Sequence, residues 1–233
     1  MTDPNLRHVL VTGASRGIGR AIAVELGVDH HILVGGTRAE TVQEVVDALP
    51  SAEPFVCDLA DEQSTTRAAS RLSRLDALIN CAGISAEGTT IAETRREEWR
   101  RVLEVDVIAV ADLTRLVLPL LRASHGDVVM VNSGSGFSRP GPGGGVYAAA
   151  KYALRALTHA LREEERGTVR VTSIHPGRVD TDMQVDLQAR AGRPYTPSEH
   201  LRPESVAATV RAALEASSEA MIEELSVRPV FQT

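Results

Sequence analysis

Along the chain, short unbroken apolar runs alternate with longer stretches in which apolar residues return every three or four positions. The first pattern predicts strands covered on both faces, the second predicts helices packed by one face. The runs fall at His8–Val11, His31–Gly35, Pro54–Cys57, Ala77–Asn80, Val128–Asn132, Val169–Ile174 and Met221–Val227, so seven strands are expected. Helical patterns start near Gly17, Ala39, Glu62, Arg95, Val146 and Pro203. Each is long enough for a right-handed crossover to the next parallel strand. The expected fold class is α/β: a doubly wound, seven-stranded parallel sheet with helices on both faces, in a single domain spanning residues 1–233.

Two stretches break the alternation. Ser135–Gly145 is rich in Gly and Pro, which admits a linker reading, but it follows a strand and leads straight into a helix, as a loop would. Gln184–Arg202 is polar, with Pro197 inside it and Pro203 at its exit. The segment from Met183 to Pro203 is expected to be a lid over a substrate site.

Composition narrows the picture. With 43% hydrophobic residues in 233, the chain can build a core without disulfide or metal, and long disorder is excluded. The net charge is −6 and no block of five or more like charges occurs, so neither nucleic acid nor an anionic membrane surface is an expected partner. Nowhere do about 18 apolar residues run together, as a membrane span would need. Met1–Leu10 contains Asp3, Pro4, Arg7 and His8, which leaves no apolar stretch for a secretory leader. Cys57 and Cys81 lie in apolar, strand-like contexts without metal-ligand or Cys-x-x-Cys spacing, which reads as free thiols in a reducing, cytoplasmic compartment. Of the 25 basic residues a single one is lysine, Lys151. A chain so depleted in Lys implies that its one lysine sits where Arg cannot substitute.

The segment Val9–Gly19, VLVTGASRGIG, is an apolar strand, a turn with Gly13, Gly17 and Gly19, and then a helical pattern. Such a turn presents backbone N–H groups and a helix N-terminus to a pyrophosphate. At the first βα junction of a wound sheet it points to a dinucleotide site, as in a Rossmann-type fold.

Further along come Asn80-Cys81-Ala82-Gly83, Ser133, Tyr147-Ala148-Ala149-Ala150-Lys151 and Pro176-Gly177. Together with Thr12-Gly13-Ala14-Ser15-Arg16-Gly17-Ile18-Gly19, in this order, they resemble the signature of the short-chain dehydrogenase/reductase family in its classical form. The resemblance covers nearly the whole chain. It implies a Rossmann fold, a nicotinamide cofactor and a carbonyl or alcohol substrate.

The residues support that implication on their own terms. Tyr147 and Lys151 are i and i+4 on a predicted helix, so both project from one face. An ammonium beside a phenol favours the phenolate, which is the activation a general acid/base needs. Ser133 ends the preceding strand, where its hydroxyl would steady the substrate oxygen; Ser135 is a second candidate, and strand register favours Ser133. The family's fourth catalytic position is usually Asn and the matching residue here is Asp106, a departure. The resemblance implies a water-mediated relay there, held largely by the backbone, so Asp106→Asn is expected to leave activity intact or improve it.

Cofactor choice is expected at the end of the second strand, where a carboxylate would bond the adenosine ribose of NAD. Leu33-Val34-Gly35-Gly36-Thr37-Arg38 carries none. Arg16 and Arg38 are suited instead to clamp a 2′-phosphate, which favours NADP(H) over NAD(H). By resemblance, Gly13, Ser15, Arg16, Gly17, Ile18 and Gly19 would cradle the pyrophosphate, with Gly36, Thr37 and Arg38 at the adenosine ribose. Asp58 and Leu59 would meet the adenine, Asn80, Ala82 and Gly83 would line the adenosine side, Tyr147 and Lys151 would reach the nicotinamide ribose, and Pro176, Gly177, Val179 and Thr181 would pass the carboxamide.

Other residues draw the eye without a comparable pattern. His30-His31 has no third ligand nearby, so no metal is expected, and His175 reads as a strand-end histidine satisfied by backbone. Arg162–Arg166, with its three glutamates, reads as a solvated helix end. The alanines from Ala148 to Ala160 give a helix with small side chains, which by resemblance belongs to a two-fold interface, so a homodimer or homotetramer is expected. Two rival functions stand beside the oxidoreductase: a nucleotide-binding scaffold without turnover, and an epimerase or dehydratase on the same fold.

Overall fold

The computed structural model describes residues 5–230. Asp3 and Pro4, used above against an apolar leader, lie outside them. The seven strands are β1 (Arg7–Val11), β2 (His30–Gly36), β3 (Ala52–Val56), β4 (Ala77–Asn80), β5 (Asp127–Val131), β6 (Arg170–Pro176) and β7 (Glu224–Val227). They form one parallel sheet in the order β3-β2-β1-β4-β5-β6-β7. The order reverses between β1 and β4, and in open α/β sheets the crevice at the strands' carboxyl ends beside that reversal is where ligands bind.

The described residues form eight α-helices: α1 (Gly17–Leu26), α2 (Ala39–Asp47), α3 (Glu62–Ala69), α4 (Arg96–Leu103), α5 (Ala109–Ser124), α6 (Gly145–Glu164), α7 (Asp182–Arg190) and α8 (Pro203–Leu214). Alternation along each strand splits the core into two layers. Val9, Val11, Ile32, Val34, Ile79 and Val129 pack under α1, α2 and α8, joined by Ile22, Leu26, Val42, Val206 and Val210. Leu10, Leu33, Leu78, Val128 and Met130 pack under α3, α5 and α6, joined by Leu113, Val117, Leu121, Leu154 and Leu161. The five inner strands, β1, β2, β4, β5 and β6, are buried on both sides because both layers are filled, whereas the edge strands β3 and β7 are partly exposed.

Three local features depart from the sequence reading. The helical pattern from Arg95 is not uniform: α4 and α5 are joined by a π-helical turn, Glu104–Ile108, which shifts the helix register and turns Asp106 inward. Helix α7 lies in the stretch expected to be irregular. It starts at Thr181, whose hydroxyl accepts the Gln184 amide at 3.4 Å, but it buries Gln188 alone, so no apolar period announces it. The charged run Arg162–Arg166 is not uniformly solvated. Arg162 is buried and donates to the Val171 and Glu223 carbonyls, and buried Glu165 accepts from Arg122. These contacts tie α6 to β6, to the entry of β7 and to α5.

Ser135–Gly145 connects β5 to α6 within the same sheet-and-helix unit. It begins with a 3-10 turn at Gly134–Gly136, and Tyr152 of α6 donates to the Phe137 carbonyl at 2.9 Å. Among the described residues no helix is long and apolar enough to cross a membrane.

Candidate active site

The turn after β1 is shaped by close approach. Gly13 has φ +66°, and a Cβ there would sit 2.9 Å from the Ala82 Cα; a Cβ at Gly19 would sit 2.3 Å from the Gly13 carbonyl oxygen. Glycine is what lets α1 and the loop after β4 crowd this turn. Thr12, immediately before it, holds that loop: its hydroxyl accepts the amides of Cys81 at 2.9 Å and Ala82 at 3.0 Å and donates to the Ile79 carbonyl at 3.3 Å. The sequence analysis assigned Thr12 no such role. A hydroxyl closing an apolar strand just before a Gly-rich turn was the available signal.

At the carboxyl ends of the strands lies a cavity of about 420 Å³. Its wall contains Gly13, Ser15, Arg16, Gly17, Ile18 and Gly19 after β1, Gly36 and Thr37 after β2, and Asp58 and Leu59 after β3. It continues past Ala82 and Gly83 to Asp106, Tyr147, Lys151 and Thr181. This volume lies in the range of cofactor and ligand clefts. Its run from the bare glycine turn to the Tyr147–Lys151 pair fits an extended dinucleotide, with the pyrophosphate at α1 and a nicotinamide ribose at Lys151.

Not every expected residue reaches that wall. Asn80 is buried behind it, donating to Thr114 Oγ1 at 3.2 Å, and so braces β4 against α5. Arg38 is the exposed N-cap residue of α2, outside the cavity wall. Pro176 and Gly177 pair with Val227 at the end of β6, and Val179 is buried in a bridge to Leu201. Arg16 lines the cavity and lies 3.5 Å from Asp182, both largely exposed. An exposed pair at that distance is weak and leaves the guanidinium free to exchange partners.

Tyr147 and Lys151 share one face of α6, with the Lys151 Nζ 5.4 Å from the Tyr147 ring centroid. Lys151 is buried, and its Nζ lies 3.0 Å from Asp106 Oδ2. The other oxygen of Asp106 accepts the Ile84 amide at 2.8 Å. Burial pulls the Lys151 ammonium down, but Tyr147, Asp106 and Cys81 outweigh it and hold the group above its ordinary 10.5. Burial also pushes the Cys81 thiol up to about 12 and Cys57 up to about 11, so neither is a nucleophile at neutral pH.

Val129 and Val131 of β5 face the α1–α8 layer and Val128 and Met130 face α6, and the ladder bond from the Asn132 amide to the Ile174 carbonyl at 2.8 Å continues the strand. Ser133 remains extended, at φ −160° and ψ 154°. Its hydroxyl accepts the Ser135 amide at 3.1 Å and caps the 3-10 turn, while its carbonyl meets Nδ1 of buried His175 at 3.2 Å. Among the described residues, the Ser135 hydroxyl has no hydrogen-bond partner. Neither serine borders the cavity, whose wall beside β5 is formed by Val131 and Asn132.

The segment expected to be a lid is pinned at both ends. The Asp180 amide donates to the Leu201 carbonyl at 2.8 Å, and the Leu201 amide donates to the Arg178 carbonyl at 2.9 Å. Between them Tyr195 donates to Asp180 and packs against His200.

The family model described as short chain dehydrogenase matches residues 7–192 of this chain. The chain belongs to the short-chain dehydrogenase/reductase family. It is 30% identical to the NADP-dependent 3-hydroxy acid dehydrogenase of Schizosaccharomyces pombe, over 97% of this chain and 93% of that protein. It is 31% identical to glycine betaine reductase ATRR of Emericella nidulans over 94% of this chain, which spans 18% of that much longer protein. The alcohol dehydrogenase of the archaeon Thermococcus sibiricus, solved with 5-hydroxy-NADP, superposes with a TM-score of 0.88 at 26% identity, covering 98% of this chain and 99% of that one. This short-chain dehydrogenase/reductase is accordingly an oxidoreductase of hydroxyl and carbonyl groups with a nicotinamide cofactor.

Proposed function

We propose that this short-chain dehydrogenase/reductase interconverts a small carbonyl compound and its alcohol with NADP(H), using Tyr147 as general acid/base. The observation that carries the reading is the buried Lys151 at the cavity wall, its Nζ 5.4 Å from the Tyr147 ring centroid and 3.0 Å from Asp106. A bound nicotinamide supplies or takes the hydride. Tyr147 gives its proton to the oxygen of a carbonyl substrate during reduction, or takes it from an alcohol during oxidation. Lys151 stabilises the phenolate that is left and holds the ribose hydroxyls. Ser133, at the end of β5, holds the substrate oxygen as negative charge develops on it, with Ser135 as the second candidate.

Preference for NADP(H) rests on the absence of a carboxylate along Gly35–Arg38 and on two arginines near the adenosine end. Arg16 is in the cavity wall, and Arg38 opens α2 beside Thr37, which is. Residues 183–203 cover the substrate side, where Met183 reaches the cavity. Helices α5 and α6, with Ile108 of the preceding π-helical turn and Tyr152 of α6 exposed, form a two-fold contact in a homodimer or homotetramer.

The test is NADPH oxidation with a panel of small ketones and aldehydes, comparing wild type with Tyr147→Phe. Turnover by wild type, reduced at least about 100-fold in the variant, is the expected result. Silence on every substrate, with both proteins binding NADPH equally, contradicts it and leaves the scaffold reading; product without net NADPH loss leaves the epimerase or dehydratase.

A further inference from the structure

Asp106 is a carboxylate with no exposed surface, and Lys151 is almost as deeply buried. A buried charge is retained only when it is paired and its remaining polar atoms are satisfied. Here the two form an ion pair in which Asp106 Oδ2 has no hydrogen-bond partner among the described residues, and the geometry is set from three elements at once. The π-helical turn Glu104–Ile108 swings Asp106 toward α6, α6 brings Lys151 to 3.0 Å, and the loop after β4 supplies the Ile84 amide at 2.8 Å. The groups facing the ammonium are Tyr147 from α6, Asp106 from the π-helical turn and Cys81 from the loop after β4. Cys81 is a neutral thiol at working pH, so Asp106 is the standing counter-ion.

We propose that Asp106 is a positioning residue for Lys151: its carboxylate, braced by the Ile84 amide, keeps the chain's single lysine charged and directed at Tyr147 before any cofactor binds. The inference rests on the reading of Tyr147 and Lys151 as an acid–base pair. It also revises the expectation that asparagine serves equally at this position. A carboxylate offers an acceptor to each of two donors, the Ile84 N–H and the Lys151 ammonium. An amide offers one oxygen, and its NH₂ must then face one of those donors. Asp106→Asn therefore loses either the brace or the ion pair, and in both cases the ammonium loses a full negative charge from its surroundings.

Because the chain has one lysine, protein carrying ¹³Cε- and ¹⁵Nζ-labelled lysine gives one side-chain signal, and its pH titration reads Lys151 directly. In the cofactor-free wild type the signal should hold its ammonium position past pH 10.5, the ordinary lysine value. In Asp106→Asn the midpoint should fall by at least about one pH unit, since burial is no longer offset. Activity of the variant should then decline as pH rises through the new midpoint, over a range where wild type is flat. An unchanged midpoint in the variant overturns the proposal. So does a wild-type lysine that titrates at or below 10.5, which needs no variant to fold. The titration needs no turnover, so the two readings fail separately. If the acid–base reading is wrong, Tyr147→Phe keeps full activity while the lysine midpoint still moves; if the positioning is wrong, Tyr147→Phe loses activity and the midpoint stays.

Discussion

Thr12 offers the sharpest test of how the cofactor cleft is held open. Its side chain is 2% exposed and its hydroxyl accepts two amides, from Cys81 and Ala82. Thr12→Val keeps the shape and removes the acceptor. A buried donor left without a partner costs about 1–3 kcal/mol, so two donors set the ceiling at about 6. Cys81 and Ala82 are half-buried at the cleft, where water takes back part of the loss, and about 2–4 kcal/mol remains. For a domain of this size that is a fall in Tm of roughly 5–15 °C. The same loop carries Ala82 and Gly83 in the cavity wall, so affinity for NADP⁺ should drop by at least about tenfold, or 1.4 kcal/mol. Urea denaturation and calorimetric titration measure the two effects, and Thr12→Ser, which keeps the oxygen, should recover most of both. A Val variant within about 0.5 kcal/mol of wild type, or a Ser variant as impaired as Val, refutes the reasoning.

Gly13→Ala puts a Cβ 2.9 Å from the Ala82 Cα at a φ of +66°, so cofactor affinity should fall by more than about tenfold, read by NADPH fluorescence titration. Leu10→Ala, at a fully buried position between β1 and the α5–α6 layer, should cost about 2–5 kcal/mol in urea denaturation without changing the Kd for cofactor. Ser133→Ala should lower kcat/KM by at least about 100-fold and, since its hydroxyl also caps the 3-10 turn, cost about 1 kcal/mol of stability, whereas Ser135→Ala should have a much smaller effect on kcat/KM. Burial raises both thiols, so the thiolate fraction near pH 8 is small, and iodoacetamide should label native Cys57 and Cys81 at least about 100 times more slowly than the unfolded chain.

The sheet was legible in the sequence because a strand buried on both faces must be apolar throughout, and each of the seven runs became a strand. The glycine turn, Tyr147 and Lys151 were legible for a related reason: their chemistry depends on spacing within one element. What depended on relations between elements was harder to read. Helix α7 has no apolar stripe to announce it, since Gln188 is the one residue it buries. Arg162 and Glu165 look like surface charges until β6 and α5 supply their partners. The cap that Ser133 provides depends on a 3-10 turn, and the inward turn of Asp106 on a π-helical one, neither of which leaves a periodic mark.

The proposed function needs an NADP(H) site reaching from Arg16 to Lys151. Calorimetric titration of the purified protein with NADP⁺ and NAD⁺ at neutral pH tests it most directly. The account predicts that NADP⁺ binds at least about tenfold more tightly, a difference of about 1.4 kcal/mol, and that Arg16→Ala and Arg38→Ala together erase the preference. Tighter binding of NAD⁺, or no binding of either, would contradict it.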